Sequence, residues 1–186
     1  MKALKTFLPG LLVIEPDVHG DSRGWFQETY RQNVLMGIGI TDDFVQDNHS
    51  RSARGVLRGL HFQTGAHPQA KLVRCARGAI WDVAVDVRSG SPTYGKWEAW
   101  QLDDERGLQM YVPVGFAHGF VVLSDVADVI YQCSDYYDPV GDSGIRFDDP
   151  DVGVEWPGGP HSVSDRDAQA PLLADIADSL PFTWSA

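Results

Sequence analysis

The stretch from Val56 to Gln63 places two polar side chains, Arg58 and His61, inside an otherwise apolar run that is typical of a β-strand. Residues 51–77 contain no Asp or Glu, although the 186-residue chain has a formal net charge of −11. A broad basic surface for a nucleic-acid backbone would show in the total charge, so the pattern favours a small, compact anion such as a phosphorylated substrate over nucleic acid or an anionic membrane. The positive side chains of this stretch are Arg51, Arg54, Arg58, Lys71, Arg74 and Arg77.

Three further side chains on expected strands could carry chemistry, namely Lys71, His118 and Tyr131. A histidine or tyrosine on a strand is more often structural, but a lysine in an apolar strand is costly to bury unless it meets an anion. The spacing of Arg58 and His61 is odd, so a regular strand would turn them to opposite faces. Either Gly59 allows a β-bulge that brings them together, or the two side chains serve different surfaces.

A metal centre is not expected. Jelly-roll metal sites use a His-x-His pair with a following Glu and a later His, whereas His61 is followed here by Gln63 and Lys71. A lysine at a ligand position repels a cation. The chain also lacks a Gly-x-Ser-x-Gly elbow, a P-loop and a dinucleotide-binding glycine pattern, so hydrolase, kinase and hydride-transfer functions have no support.

The elements that must position these residues are short strands separated by turns rich in Gly, Pro and Ser. In the run 79–87, Trp81 and every second residue after it share one face, while Ile80, Asp82, Ala84 and Asp86 share the other. Seven or more such strands predict an all-β sandwich or jelly roll, whose interior can hold a ligand. The expected strands are 56–63, 71–76, 79–87, 96–102, 109–112, 118–124 and 127–133.

The flanking segments are less regular. The apolar run Phe7–Ile14 is interrupted by Pro9-Gly10 and lacks a cleavage pattern, so we expect a first strand there and not a signal peptide. Residues 31–37 are expected to form a short helix. The run 44–50 is either a strand that holds something polar or a polar loop. A second short helix is expected over 172–180, in a tail that looks peripheral.

Two cysteines, Cys75 and Cys133, lie in strand-like runs without a Cys-x-x-Cys spacing. We expect them to be buried and reduced, which fits a cytoplasmic protein. No apolar run approaches the roughly 20 residues of a membrane-spanning helix.

Six blocks of the chain, in order, closely resemble the dTDP-4-dehydrorhamnose 3,5-epimerase family, which has a cofactor-free, cupin-type jelly roll. The resemblance implies one domain over residues 1–186, with N-terminal strands and a dimer-forming segment in 1–50, the barrel core in 51–135 and a C-terminal segment in 136–186. It also implies a homodimer in which N-terminal strands and binding residues cross between subunits. The matching blocks are 20–24, 46–50, 56–63, 71–75, 113–120 and the pair Tyr136-Tyr137.

The resemblance implies roles for individual residues. His61 falls on the family's general base, Asp167 on its acidic partner and Tyr131 on its general acid. Lys71 and His118 fall on positions that contact the substrate. Two positions depart from the family, because Asp142 alone matches the acid after the tyrosine pair and Arg166 replaces a lysine. Binding positions for the nucleotide-sugar fall on Arg23, Glu28, Gln46, Asn48, Arg58, Tyr137, Asp142 and Arg166.

In a 4-keto sugar, the protons on C3 and C5 both lie beside the carbonyl, so a base can remove either and leave an enolate. The resemblance therefore implies epimerisation of dTDP-4-keto-6-deoxyglucose at both carbons. Three alternatives stay open at this point: a monoepimerase that inverts only C3 or only C5, a non-catalytic sugar-nucleotide-binding cupin, and a metal-dependent oxygenase, which Lys71 disfavours.

Overall fold

The computed structural model describes residues 1–185 and is built from two antiparallel β-sheets packed face to face, as the sequence predicts. The first sheet has the strand order β1-β2-β10-β7-β12-β5, and the second has the order β13-β6-β11-β8-β9. Strands β3 and β4 form a separate hairpin. The strands are β1 (Lys2–Leu4), β2 (Leu12–Glu15), β3 (Val18–Asp21), β4 (Gly24–Gln27), β5 (Gln46–Ala53), β6 (Leu57–Gln63), β7 (Lys71–Arg77), β8 (Ala79–Asp86), β9 (Trp97–Asp103), β10 (Gln109–Val112), β11 (Phe116–Val122), β12 (Val126–Cys133) and β13 (Asp142–Gly144).

The helices are few and short. The expected helix over 31–37 is present as α1 (Gln32–Gly37). The expected helix over 172–180 is divided into α3 (Leu173–Ile176) and the 3₁₀ turn Ala177–Ser179. A further turn of helix, α2 (Asp165–Ala168), was not predicted from the pattern. Within residues 1–185, no helix is long and apolar enough to cross a membrane.

The apolar core lies between the two sheets. Val73 and Val129 of the first sheet pack in one buried cluster with Ile80, Ala84 and Phe120 of the second. The opposite face of the second sheet, including Val83 and Val85, is also buried, beneath the C-terminal segment. The alternation in β8 is therefore confirmed, with both faces of the strand buried in different surroundings.

The expectation that the C-terminal tail is peripheral is wrong. Leu173 and Phe182 are 5% and 7% exposed and pack against the outer face of the second sheet. The tail covers apolar side chains that would otherwise face water, which the short and irregular pattern of its own residues did not indicate.

The N-terminal prediction needs correction. The expected strand over Phe7–Ile14 begins only at Leu12, since residues 7–10 form a turn in which Gly10 has a φ of +94°. Pro9 and Gly10 are the cause, because proline has no backbone donor for a sheet and glycine accepts a left-handed turn. Strand β1 and the β3–β4 hairpin were not predicted.

Strand β5 resolves the alternative that the sequence left open for residues 44–50. It pairs with β12 along its whole length, from Gln46 opposite Cys133 to Ala53 opposite Val126. Its burial alternates, with Asn48 and Ser50 half-buried and their neighbours exposed. Residues 46–50 therefore form a strand and not a loop. The inward face of this strand is polar, as expected for a sheet that holds a polar ligand.

Candidate functional site

A cavity of about 500 Å³ lies between the sheets, and its walls carry most of the residues that the sequence singled out. His61 and His118 come from β6 and β11 of the second sheet, whereas Lys71 and Tyr131 come from β7 and β12 of the first. An adjoining cavity of about 510 Å³ shares His61, Lys71 and Tyr131 with it. A substrate that spans both would have His61 and Tyr131 on opposite walls.

A bulge in β6 answers the question about Arg58 and His61. His118 lies opposite His61 and Phe120 lies opposite Arg58, so two residues of β6 face the single residue Gly119. Strands β6 and β11 can approach closely at this point because Gly59 and Gly119 lack side chains. A Cβ on Gly59 would come within 2.5 Å of the Gly119 Cα. The bulge turns Arg58 and His61 toward the same cavity.

His61 is paired with a buried carboxylate. Its Nε2 lies 2.7 Å from Oδ1 of Asp167, whose side chain is 5% exposed. Asp167 belongs to the single helical turn α2. The other oxygen, Oδ2, accepts the Gly59 N–H at 3.2 Å. Burial raises the pKa of Asp167, but the hydrogen bonds and charge of His61, Gly59 and Ser164 outweigh it and hold the pKa below its usual value. The carboxylate is therefore ionised near neutral pH and orients the imidazole.

Ser164 fixes this turn of helix at its start. Its hydroxyl accepts the Asp167 N–H at 3.1 Å, as an N-cap residue does. Asp167 is 106 residues away from His61, so only the packing of the C-terminal segment against β6 brings the two together.

Lys71 and Tyr131 are the second pair of chemically useful groups. Burial lowers the pKa of Lys71, and the negative charges of Asp142 and Asp82 oppose that shift only in part. Among residues 1–185, no carboxylate lies within salt-bridge distance of the Lys71 ammonium. A half-buried cation without a close counter-ion can stabilise negative charge on a ligand.

The phenol of Tyr131 is kept protonated by its surroundings. Burial raises its pKa, and the positive charge of Arg58 acts in the opposite direction. A protonated phenol at neutral pH can serve as an acid. Both cysteines are buried and unpaired, in agreement with the sequence.

His118 is held by a residue that the sequence analysis did not assign to the site. Its Nε2 lies 2.8 Å from Oδ1 of Asp82, whose side chain is fully buried. The signal was present in the pattern, because Asp82 is a charged residue on the same strand face as the apolar Ile80 and Ala84.

The adjoining cavity contains a polar cluster at its rim. Asp142 accepts a hydrogen bond from the Tyr137 hydroxyl at 3.0 Å and forms an ion pair of 2.7 Å with Arg166. The Tyr137 N–H donates to the Gln46 side chain at 2.8 Å, and Asn48 donates to the sulfur of Cys133 at 3.5 Å. The two residues that depart from the family pattern, Asp142 and Arg166, thus contact each other.

Arg23 and Glu28 are not brought to either cavity within this chain. Arg23 lies at the tip of the β3–β4 hairpin, 87% exposed, and pairs with Asp21 at 2.6 Å. Glu28 follows the hairpin and faces Arg31 at 3.5 Å. Neither side chain therefore lines the two cavities of its own chain.

Three cationic side chains line the two cavities beside the carboxylates of Asp142 and Asp167, although the chain as a whole is at −11. The three are Arg58, Lys71 and Arg166. Arg58 is exposed, and its Nε donates to the Ser52 hydroxyl at 3.1 Å, which leaves the other guanidinium nitrogens for a ligand. Among residues 1–185, no group of three or more His, Cys, Asp or Glu side chains converges as metal ligands would.

Comparison with known proteins identifies this arrangement. A family model described as dTDP-4-dehydrorhamnose 3,5-epimerase matches residues 5–175. The dTDP-4-dehydrorhamnose 3,5-epimerase of Salmonella typhimurium is 49% identical over 177 residues, which are 93% of this chain and 96% of that protein.

Two solved structures show the same fold. The dTDP-6-deoxy-D-glucose-3,5-epimerase of Legionella pneumophila Philadelphia 1, in complex with dTDP-4-keto-L-rhamnose, is 45% identical with a TM-score of 0.95 and covers 100% of this chain and 99% of that one. ChmJ, a 3'-monoepimerase from Streptomyces bikiniensis in complex with dTDP-quinovose, is 38% identical with a TM-score of 0.87 and covers 95% and 91%. With a match to the family model over most of its length and a jelly roll that superposes on family structures, the chain belongs to the dTDP-4-dehydrorhamnose 3,5-epimerase family.

Proposed function

We propose that this protein epimerises dTDP-4-keto-6-deoxyglucose at C3 and C5 to give dTDP-4-keto-rhamnose. The observation that carries the proposal is the placement of a carboxylate-backed histidine, His61, and a protonated phenol, Tyr131, on opposite sheets of one cavity that also holds Lys71. Inversion at carbon needs a base on one face and an acid on the other, and this cavity has both.

In the proposed reaction, His61 removes a proton from the carbon beside the 4-keto group, and the C–H electron pair forms the enolate double bond. Asp167 holds the imidazole in the orientation needed and stabilises the imidazolium that results. Lys71 stabilises the developing negative charge on the keto oxygen, and one such donor typically lowers the barrier by roughly 2.7–4 kcal/mol. Tyr131 then protonates the same carbon from the other face.

After each inversion, His61 carries an extra proton and Tyr131 lacks one, so both must exchange with solvent before the next. The second carbon then reacts in the same way. Both carbons flank a single carbonyl, so one base, one acid and one oxyanion donor are sufficient for the two steps.

The remaining residues are proposed to bind the nucleotide part of the substrate. Arg58 and Arg166 offer guanidinium groups suited to phosphate oxygens. The exposed ring of Tyr137 offers a surface on which a base could stack, and its hydroxyl is oriented by Asp142. Binding energy from these remote contacts can be used to orient the sugar. Gln46 and Asn48 are proposed as further polar contacts to the nucleotide part, and His118 is proposed to contact the sugar.

The test is incubation with dTDP-4-keto-6-deoxyglucose in D₂O, with deuterium at C3 and C5 followed by NMR. We expect solvent deuterium at both carbons together with inverted product. Deuterium at neither carbon would contradict the proposal and would favour a binding protein without catalysis. Chelation should leave the activity unchanged, which distinguishes this reaction from that of a metal-dependent oxygenase.

A second candidate is a monoepimerase, because the 3'-monoepimerase ChmJ has the same fold and is 38% identical. The same experiment separates the two, since a monoepimerase would take up deuterium at one carbon alone. The 49% identity to a named 3,5-epimerase supports the double reaction as the first choice.

We also propose that the protein acts as a homodimer. The β3–β4 hairpin exposes Trp25 and Phe26, at 61% and 68%, and carries Arg23 away from the cavity of its own chain. The apolar strand β2 pairs with β10 of its own chain, so the β3–β4 hairpin is the segment proposed to cross to the neighbouring subunit. A twofold pair would bury these rings and bring each Arg23 and Glu28 to the neighbouring cavity. A fully active monomer of about 20 kDa by light scattering would rule this out.

The three segments are proposed to act as one domain, because the C-terminal segment both covers the second sheet and supplies Asp167. The buried, unpaired Cys75 and Cys133 support a cytoplasmic location, where thiols stay reduced.

A further inference from the structure

Asp82 is a buried carboxylate whose hydrogen bonds are only half satisfied. It lies on β8 with none of its side chain exposed, and its Oδ1 contacts His118 Nε2 at 2.8 Å. No group in the described part of the chain, residues 1–185, hydrogen-bonds to its Oδ2. A buried carboxylate in this condition lowers stability, which points to a role other than holding the fold together.

The pair formed by Asp82 and His118 repeats the arrangement of Asp167 and His61. The two histidines lie directly opposite each other across β6 and β11. Each uses Nε2 to contact a buried carboxylate, at 2.7 Å for His61 and 2.8 Å for His118. Across residues 1–185, neither ring has a hydrogen-bond partner for Nδ1, and both rings line the cavity.

The two pairs differ in how much of the imidazole is accessible. The side chain of His61 is 31% exposed and that of His118 is 9% exposed. His61 can approach a carbon of the substrate, whereas His118 is held back in the wall and can offer a single nitrogen. The accessible ring of His61 suits a general base, and the more buried ring of His118 suits a fixed polar contact to the substrate.

We propose that Asp82 is a positioning residue that keeps the proton of His118 on Nε2 and thereby presents Nδ1 to the sugar. An ionised carboxylate only accepts hydrogen bonds, so the ring nitrogen beside it must carry the proton. With the single ring proton on Nε2, Nδ1 accepts a hydrogen bond from a sugar hydroxyl and fixes the rotation of the sugar between His61 and Tyr131. The inference rests on the proposed function for the identity of the ligand.

The test is Asp82→Asn, which keeps the size of the side chain but replaces an acceptor by an amide that can also donate. In wild-type protein labelled with ¹⁵N-histidine, NMR should show the His118 ring with its proton on Nε2. The chain has six histidines, so the His118 signals are assigned by their loss in His118→Gln. In Asp82→Asn we expect a mixture of the two tautomers.

The kinetic expectation is a fall in kcat on the order of 10²-fold, the effect of misplacing a substrate by about 1 Å. The affinity for dTDP alone should be unchanged, because the nucleotide contacts lie elsewhere. This separates a positioning role from a general loss of structure, which would weaken both.

A matched control is Asp86→Asn, on the same strand and the same face and equally buried, but away from the cavity. It should lower the thermal midpoint while the folded protein keeps the His118 tautomer and kcat. If this variant does not fold, Thr93→Val removes one donor to Asp86 and gives the same comparison.

Two results would overturn the inference: a wild-type His118 with its only proton on Nδ1, or an Asp82→Asn protein with wild-type tautomer and kcat. The first needs no variant, so a failure of Asp82→Asn to fold leaves the inference testable. The NMR measurement also needs no turnover. Absence of activity on the dTDP-sugar would therefore count against the proposed function alone.

Discussion

Two buried carboxylates of this protein, Asp86 and Asp167, are held in opposite ways. Both oxygens of Asp86 are occupied by groups of the protein. Arg88 donates from Nε and Nη2 at 2.8 and 2.7 Å, and the hydroxyls of Ser91 and Thr93 donate at 2.6 and 2.7 Å. Burial raises the pKa of Asp86, but these hydrogen bonds outweigh it and hold the pKa below its usual value.

The cation of this pair is equally enclosed. The guanidinium carbon of Arg88 lies 4.3 Å from the centre of the Phe116 ring and 4.5 Å from that of Trp184. Its Nη2 also donates to the Pro9 carbonyl at 2.9 Å. The site joins the N-terminal turn, the second sheet and the C-terminal tail, and both oxygens of Asp86 are used within it.

Asp167 is equally buried, but its partner His61 keeps one ring nitrogen for the cavity. In this fold, the hydrogen-bond partners of a buried carboxylate distinguish a structural role from a functional one. Where the protein satisfies every polar atom, the site stabilises the fold. Where it orients a group and leaves one atom unsatisfied, the site can bind or react.

The largest expected effect is that of His61→Asn. Without the base no enolate forms, so both deuterium uptake and product formation should fall by at least about 10² to 10⁴-fold. The variant should still fold, because His61 is partly exposed and lies outside the apolar core, and the Gly59 N–H still donates to Asp167. Retained deuterium exchange in this variant would show that another group removes the proton.

Tyr131→Phe should separate exchange from inversion. The variant keeps the ring and its packing but loses the hydroxyl, so His61 can still form the enolate and return a proton to the original face. Deuterium should therefore enter the substrate faster than inverted product appears, an excess that the wild type does not show. Equal losses of exchange and inversion would mean that Tyr131 positions the substrate or supports the core.

Asp86→Ala should act on stability and spare the chemistry. Removing one partner of a buried ion pair leaves the other charge uncompensated, which typically costs about 3–5 kcal/mol of unfolding free energy. Urea unfolding measures this loss, and the folded fraction should keep the wild-type kcat. If the variant kept normal stability but had a low kcat, Asp86 would be a functional carboxylate and not a structural one.

The pH dependence of this stabilisation has a defined sign. Because the pKa of Asp86 is lower in the folded protein than its ordinary value of 3.8, its contribution is present above that value. It is lost as the pH falls through the lowered pKa. The stability difference between wild type and Asp86→Ala should therefore shrink only in strongly acidic solution.

The sequence predicted the strands well where burial follows a simple period. The alternation in β8 and the boundaries of β7 and β10 depend on local pattern alone, and the structure matches them closely. The N-terminal turn and β3–β4 hairpin were missed, because Trp25 and Phe26 are apolar residues that the single chain leaves exposed.

The site was harder to predict from pattern because its parts are joined by long-range contacts. Whether Arg58 and His61 share a cavity depends on a bulge opposite Gly119, and strand pairing cannot be read from one strand. Asp167 was assigned only through the family resemblance, since its contact with His61 depends on how the tail packs. Asp82 could have been found, as a charge on an apolar strand face.

The smallest expected effect is a shift in the alkaline limb of the pH profile, and Lys71 should set it. Burial lowers the pKa of this lysine below the ordinary 10.5, and its ammonium is the proposed donor to the enolate oxygen. Activity should therefore fall as the pH rises through that lowered pKa. Tyr131 cannot cause the same limb, because its pKa is raised above the ordinary 10.0.

Lys71→Arg tests this assignment. Arginine stays charged throughout the accessible range, so the alkaline limb of kcat/KM should move to higher pH. The plateau should be lower than in wild type, because a planar guanidinium cannot reproduce the position of the ammonium. Lys71→Met should lower the plateau further and abolish the limb. If the limb stays at the same pH in Lys71→Arg, a different group titrates, and Lys71 would belong with Arg88 among the charges that stabilise the fold.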